Sequence, residues 1–395
     1  MIILKNWRIP LYRIYWDEED KKSVMKVIER GSYWAIGPEI EEFEKLVADY
    51  IGRKYGVSFN SGTSALHAIL LAYDLKAGDE IIVPSFTFIA TANAALFVGA
   101  KPVFADVEEE TFGISPLSVQ EKITRKTKAI MPVHYGGLPC HVKELRGIAR
   151  DNGLIFIEDA AESLGASVDE RKVGSFSDSA IFSFCGNKVI TTGEGGMIVT
   201  DSRKIWERLK LIRSHGRLEV EPYFATIKSL DYITLGYNWR MSSITAALGF
   251  SQMKKLEKVI EMRRRNVEYL ESKLSKISGI KLQNPPKGYF HVYQMYTIRV
   301  KGGKDVRDAL KEHLAKKGIM SKVYFDPVHL TSFYRRKFQY RKGDLPISEK
   351  LSEEVLTLPM YPTLHKEEMD YIAKSISEFA SRLDNYISTE KVKQL

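Results

Sequence analysis

Short apolar runs alternate with longer stretches of mixed polarity along the first half of the chain. Seven runs read as strands, at 55–59, 80–83, 102–105, 128–133, 154–158, 179–184 and 196–200. Stretches between several of them, such as 63–73, 87–97 and 142–151, read as helices. Ahead of this series, Asp17 can cap a helix over 17–30 that Gly31 stops, and Pro38 opens another that runs to Gly52. The alternation predicts an α/β fold with a mostly parallel central sheet covered on both faces. Further on, a charged helix at 252–275 reads as a bridge between lobes. Strands at 289–300 and 319–325, with helices at 305–317 and 366–383, predict a smaller α+β lobe. The chain therefore divides into a large domain, 1–252, and a small C-terminal domain, 253–395.

In an open α/β sheet, ligands sit outside the carboxyl ends of the strands, so the polar residues that follow the strands matter most. The run Ile155-Phe156-Ile157-Glu158 leads to Asp159, with Glu162 three residues on. His134 ends a second strand, Pro84-Ser85-Phe86-Thr87-Phe88 follows a third, and Ser183 closes the strand that leads to Lys188. Lys188 lies between that apolar strand and the turn Gly193-Glu194-Gly195-Gly196, where a surface ammonium has little reason to be. A lysine so placed and a strand-end carboxylate are the two groups that a pyridoxal 5'-phosphate enzyme needs. The lysine forms an imine with the aldehyde, and the aspartate keeps the ring nitrogen protonated. Asn60-Ser61-Gly62-Thr63-Ser64 joins a strand to a helix, and its glycine and free amides make a cup for the phosphate. Each residue has a plainer reading: Asp159 as a polar strand terminus, Glu162 as an exposed acid, Phe88 as core. Their convergence favours Glu162 against the cofactor ring and Phe88 stacked on it.

Composition narrows the field. With 44% hydrophobic and 28% charged residues the chain is an ordinary globular protein, and no apolar run nears a membrane span. The start, Met1 to Arg8, lacks the apolar core of a signal peptide, and two cysteines fit a reducing cytoplasm. A net charge of +9 gives a solvated basic surface that also favours anionic ligands, but no basic, aromatic-studded nucleic-acid module is present. Neither a P-loop nor a dinucleotide fingerprint occurs, and His134 and His215 have no second ligand at metal spacing.

Four blocks extend this reading: Ser61-Gly62-Thr63-Ser64-Ala65-Leu66, Pro84 through Thr91, Glu158-Asp159-Ala160-Ala161-Glu162, and Lys188 through Gly196. Together with Gly236-Tyr237-Asn238-Trp239-Arg240-Met241, they resemble the DegT/DnrJ/EryC1/StrS family of nucleotide-sugar aminotransferases. The resemblance implies PLP fold type I, like aspartate aminotransferase. It implies Lys188 as the imine-forming lysine, Asp159 on the ring nitrogen, Phe88 stacked on the ring and Glu162 beside it. Gly62, Thr63 and Ser183 would hold the phosphate, and Asn238 would reach it from a neighbouring subunit of a homodimer. Tyr33, Trp34, Arg240 and His329 are candidates for the substrate side.

The implied reaction moves an amino group from L-glutamate to a nucleotide-linked sugar. The segment after Lys188 is similar to members that aminate C4 of a 4-keto-6-deoxy sugar, and Phe184 through Lys188 is similar to those using GDP sugars. His134-Tyr135-Gly136-Gly137-Leu138-Pro139-Cys140 instead resembles UDP-sugar members. C3 amination, or a UDP- or dTDP-linked substrate, is the alternative, and a non-catalytic regulator that keeps the cofactor is the rival of another class. No metal, nucleic acid or membrane partner is expected.

Overall fold

The computed structural model describes residues 7–218, 226–227 and 229–387. The segment 1–6, which holds most of the start read as unlike a signal peptide, lies outside the described residues. Seven strands form the central sheet in the order Tyr55–Phe59, Gly196–Thr200, Ser179–Ser183, Ile155–Asp159, Thr127–Ile130, Glu80–Pro84, Lys101–Ala105. Gly196–Thr200 pairs antiparallel with both its neighbours, and every other pairing is parallel. Strand residues alternate between two apolar layers, as the twofold side-chain period requires. Ile81, Val83, Ile157, Ile181 and Ile198 pack with Leu66 and Ile69 on one face. Phe182, Met197 and Val199 pack on the other with Phe43 and Val47 of the helix Pro38–Ile51. Asp17 caps Glu18–Glu29 as expected, accepting the Glu19 amide, and Ser61 caps Gly62–Ala72 through the Ser64 amide.

The smaller lobe is a three-stranded antiparallel sheet, Ile280–Lys281, Tyr296–Val300 and Val355–Leu358. Leu270 of the long helix Leu256–Leu274, Leu310 of Gly303–Lys316 and Ile372 of Lys366–Ile387 pack over it. The charged helix expected at 252–275 is preceded by a separate helix, Ser243–Met253. The run 289–300 divides: Tyr289–Phe290 pairs with Ser167–Val168, while Tyr296–Val300 joins the small sheet. No strand forms over 319–325, where only isolated bridges from Ile319 to Ile9 and from Lys322 to Thr357 occur. Packing also crosses the boundary at 252/253. Ile9 joins the small-lobe core, whereas Val328, Tyr334 and Leu345 enter the large-sheet core. No helix among the described residues is long and apolar enough to cross a membrane.

Candidate active site

The carboxyl ends of the parallel strands open into a cleft of about 690 Å³. Asp159 stands at its floor, 3% exposed, as the last residue of Ile155–Asp159. Thr91 Oγ1 donates to Asp159 Oδ2 at 2.8 Å, and the Ala161 amide donates to Oδ1 at 3.2 Å. Burial raises its pKa to about 6; the Glu162 charge adds to this, while the two hydrogen bonds and Lys188 pull the other way. Among the described residues this carboxylate has no salt bridge, and a protonated ring nitrogen would supply the cation that so dry a place favours.

Lys188 projects into the same cleft from the loop that follows Ser179–Ser183, with Nζ 3.4 Å from Glu162 Oε1. The other oxygen of Glu162 accepts the Gly136 amide at 2.9 Å. That amide is aimed by a tight turn in which Gly136 and Gly137 take φ of 60° and 98°, values that glycine adopts without strain. A Cβ on Gly137 would stand 2.7 Å from Val292 Cγ2, so that position is too crowded for a side chain. The paired glycines of the 134–140 segment thus serve to orient Glu162.

The same cleft is lined by the first residues of Gly62–Ala72, with Ser183 beside them. A Cβ on Gly62 would come 3.1 Å from Ser183 Cβ and 3.2 Å from its Oγ. Gly62 therefore keeps the head of the helix open, with amides and a hydroxyl facing the cleft, the donor set a phosphate group takes. Phe88 is 57% exposed, which excludes it from the core. It lines the cleft, and its ring packs at a 52° tilt on that of Phe325, also a lining residue, with centroids 6.2 Å apart.

The cleft brings together Gly62, Thr63, Phe88, Asp159, Glu162, Ser183 and Lys188. Tyr33, Trp34, Asn238 and Arg240 do not line it. Tyr33, Trp34 and Asn238 are exposed, and Arg240 donates to Ser214 Oγ at 3.1 Å. His329, expected on the substrate side, is fully buried away from the cleft, its imidazole engaged by Ser85 and Glu349. His134, expected at the crevice, is buried too, accepting the Cys140 amide and bonding Glu158 at 3.0 Å. Sequence reasoning missed Thr91, Tyr12, Lys322, Tyr324 and Phe325. Of these only Thr91 carried a signal, being one helical turn beyond Thr87 and facing the same way (Oγ1 to Oγ1, 3.0 Å). Away from the cleft, Glu108, Glu110 and His141 bring three potential metal donors within 4.8 Å of one another.

These residues fit pyridoxal 5'-phosphate, with the lysine, the anion cup and the carboxylate spread along one cleft. Fold and cleft together define a pyridoxal-phosphate-dependent aminotransferase of the aspartate aminotransferase fold type. Residues 15–377 match the sequence profile of the DegT/DnrJ/EryC1/StrS aminotransferase family, and the chain belongs to that family. It is 35% identical to the GDP-perosamine synthase of Escherichia coli O157:H7 over 373 residues, 94% of this chain and 99% of that one. To the GDP-perosamine synthase of Caulobacter vibrioides it is 36% identical over 365 residues, 92% of this chain and 95% of the other. Among solved structures, S. venezuelae DesV in complex with a ketimine intermediate superposes with a TM-score of 0.87 at 31% identity, covering 95% of this chain and 99% of DesV. A Streptococcus pneumoniae structure in its PLP form gives a TM-score of 0.89 at 26% identity, covering 95% and 99%.

Proposed function

We propose that the protein transfers an amino group from L-glutamate to C4 of a nucleotide-linked 4-keto-6-deoxy sugar, with GDP-4-keto-6-deoxymannose as the acceptor. The observation that carries this reading is the 35–36% identity to two GDP-perosamine synthases over more than nine-tenths of the chain. When bound, pyridoxal phosphate supplies an aldehyde that takes up the amine and a protonated ring that draws electrons from it. Lys188 Nζ takes the α-proton from glutamate in the first half-reaction and returns a proton to sugar C4 in the second. Glu162, 3.4 Å away, holds the lysine in the cleft between these transfers. Asp159 would pair with the ring nitrogen, and at 3% exposure its charge is little screened by water. Gly62, Thr63 and Ser183 would hold the phosphate, and Phe88 would cover the ring.

Asn238, Arg240, Tyr33 and Trp34 belong in this reading to the cleft of a partner copy. Support comes from their position outside their own cleft and from the exposed apolar residues nearby, Tyr232, Ile233 and Leu235. Free cysteines at 140 and 185 suit a cytoplasmic setting. The test is a panel of GDP-, UDP- and dTDP-linked 4-keto-6-deoxy sugars offered with glutamate, the products identified by mass and by NMR. The expected product is a 4-amino sugar from the GDP compound, with kcat/KM at least tenfold above the others. Equal or better use of a UDP or dTDP sugar, or amination at C3, would overturn the assignment.

A further inference from the structure

His329 is absent from the cleft, yet its contacts tie together the two segments that wall it. The Val328 amide donates to the Ser85 carbonyl at 2.9 Å, and the His329 amide donates to Ser85 Oγ at 3.1 Å. Ser85 Oγ in turn lies 2.6 Å from His329 Nδ1, and His329 Nε2 lies 3.2 Å from Glu349 Oε1. Only one proton arrangement satisfies every group. The Ser85 hydroxyl donates to Nδ1, and Nε2–H donates to Glu349. The imidazole is therefore neutral, in keeping with the burial that lowers its pKa. Glu349 also accepts the Gly343 amide at 2.8 Å, and its helix, Pro346–Glu354, is fixed to the large sheet where Asp106 accepts the Ile347 and Ser348 amides.

The order Ser–His–Glu is that of a hydrolytic triad, but Ser85 and His329 are both fully buried, so no substrate carbonyl can reach the hydroxyl. What the three residues control is position. Ser85 is three residues before Phe88, and His329 is four residues after Phe325, and these two cleft-lining rings pack on each other at a 52° tilt with centroids 6.2 Å apart. We propose that the buried Ser85–His329–Glu349 relay is a latch that fixes the spacing of Phe88 and Phe325 and so positions the aromatic cover of the cofactor ring, making His329 a positioning residue. The proposal rests on Phe88 lying against the cofactor and is independent of which sugar is aminated.

The test follows the induced circular dichroism and the dissociation constant of bound pyridoxal phosphate, together with the unfolding temperature, in the full chain. His329→Ala and Ser85→Ala are each expected to change the dichroism and to weaken cofactor binding about tenfold well below the unfolding temperature. His329→Asn, whose Oδ1 replaces Nδ1 as acceptor for Ser85, is expected to recover most of the wild-type signal. Ile298→Ala, a core change in the small lobe, controls for lost stability: it is expected to lower the unfolding temperature and leave the cofactor signal alone. Phe88→Ala separates the premises. If it leaves the cofactor signal unchanged, Phe88 does not cover the ring and the latch has nothing to position. A response to Phe88→Ala with none to Ser85→Ala or His329→Ala would overturn the latch itself, as would an equal disturbance from Ile298→Ala.

Discussion

At the scale of single residues, the cleft is organised by charges that lack solvent. Asp159 has its pKa raised to about 6 by burial, so its carboxylate is fully formed only above that pH. A folded-state pKa above the ordinary value of 3.8 means that ionisation is disfavoured until a cation arrives. In the proposed reading, the ring nitrogen of the cofactor is that cation. In the Lys188→Ala variant, where binding is non-covalent, cofactor affinity is therefore expected to fall as pH drops through about 6. Adding Asp159→Asn should remove that step and leave only the titration of the phosphate itself. In an otherwise native chain, Asp159→Asn should lower kcat on the order of a hundredfold with little change in unfolding temperature. An unchanged rate at saturating cofactor would make Asp159 a structural group. Lys188, Asp159 and Glu162 were legible in the sequence because charges at strand ends of an apolar fold stand out from their surroundings. Thr91 was only faintly so: its spacing from Thr87 was a signal, but a threonine in a helix does not by itself point to a carboxylate. His329 misled because sequence shows that a histidine follows Pro327-Val328 but not that Ser85 and Glu349 already occupy both its nitrogens.

At the scale of elements, the site is a set of strand-to-helix junctions held at fixed spacing. The close approach of Gly196 to Ser61 is the sharpest case. A Cβ on Gly196 would fall 2.3 Å from the Ser61 carbonyl oxygen and 2.9 Å from the Gly62 amide, and backbone cannot move aside as a side chain can. Gly196→Ala is expected to displace the head of Gly62–Ala72 and destabilise the fold by roughly 1–3 kcal/mol. Gly62→Ala meets only Ser183 at 3.1 Å, so it should weaken cofactor binding about tenfold, near 1.4 kcal/mol, with a smaller thermal effect. Paired thermal melts and cofactor titrations distinguish the two; equal behaviour would mean that the helix head does not set the phosphate cup. The central strands were readable because most of their residues are buried, as in Glu80–Pro84 and Gly196–Thr200, where every residue is buried and the apolar run is nearly unbroken. Residues 319–325 carry a similar local pattern, but Lys322, Tyr324 and Phe325 line the cleft and form no ladder. Strand pairing is a long-range property, which a local pattern does not contain. The same holds for Pro346–Glu354 and Val355–Leu358, a helix and a strand joined without a turn between them.

At the scale of the whole molecule, the proposed site is incomplete within one chain. Asn238 lies outside its own cleft, in a segment anchored by the bond from the Asn60 amide to the Trp239 carbonyl and by the bridge between Asn238 and Ser214. If it serves a partner's cleft, mixing inactive Lys188→Ala with inactive Asn238→Ala chains should restore activity. One cleft of the mixed dimer would carry both defects and the other neither. Differently tagged, co-expressed chains purified as the mixed dimer should recover up to about half the wild-type rate per dimer. No recovery, with each variant folded and dimeric, would place Asn238 outside the chemistry or within its own chain's cleft. The claim on which all of this depends is that Lys188 carries the cofactor. Borohydride reduction of the pyridoxal-phosphate-loaded protein, followed by peptide mapping, tests it directly. The pyridoxyl label is expected on Lys188 alone, and a label on any other lysine, with Lys188 unmodified, would contradict the account.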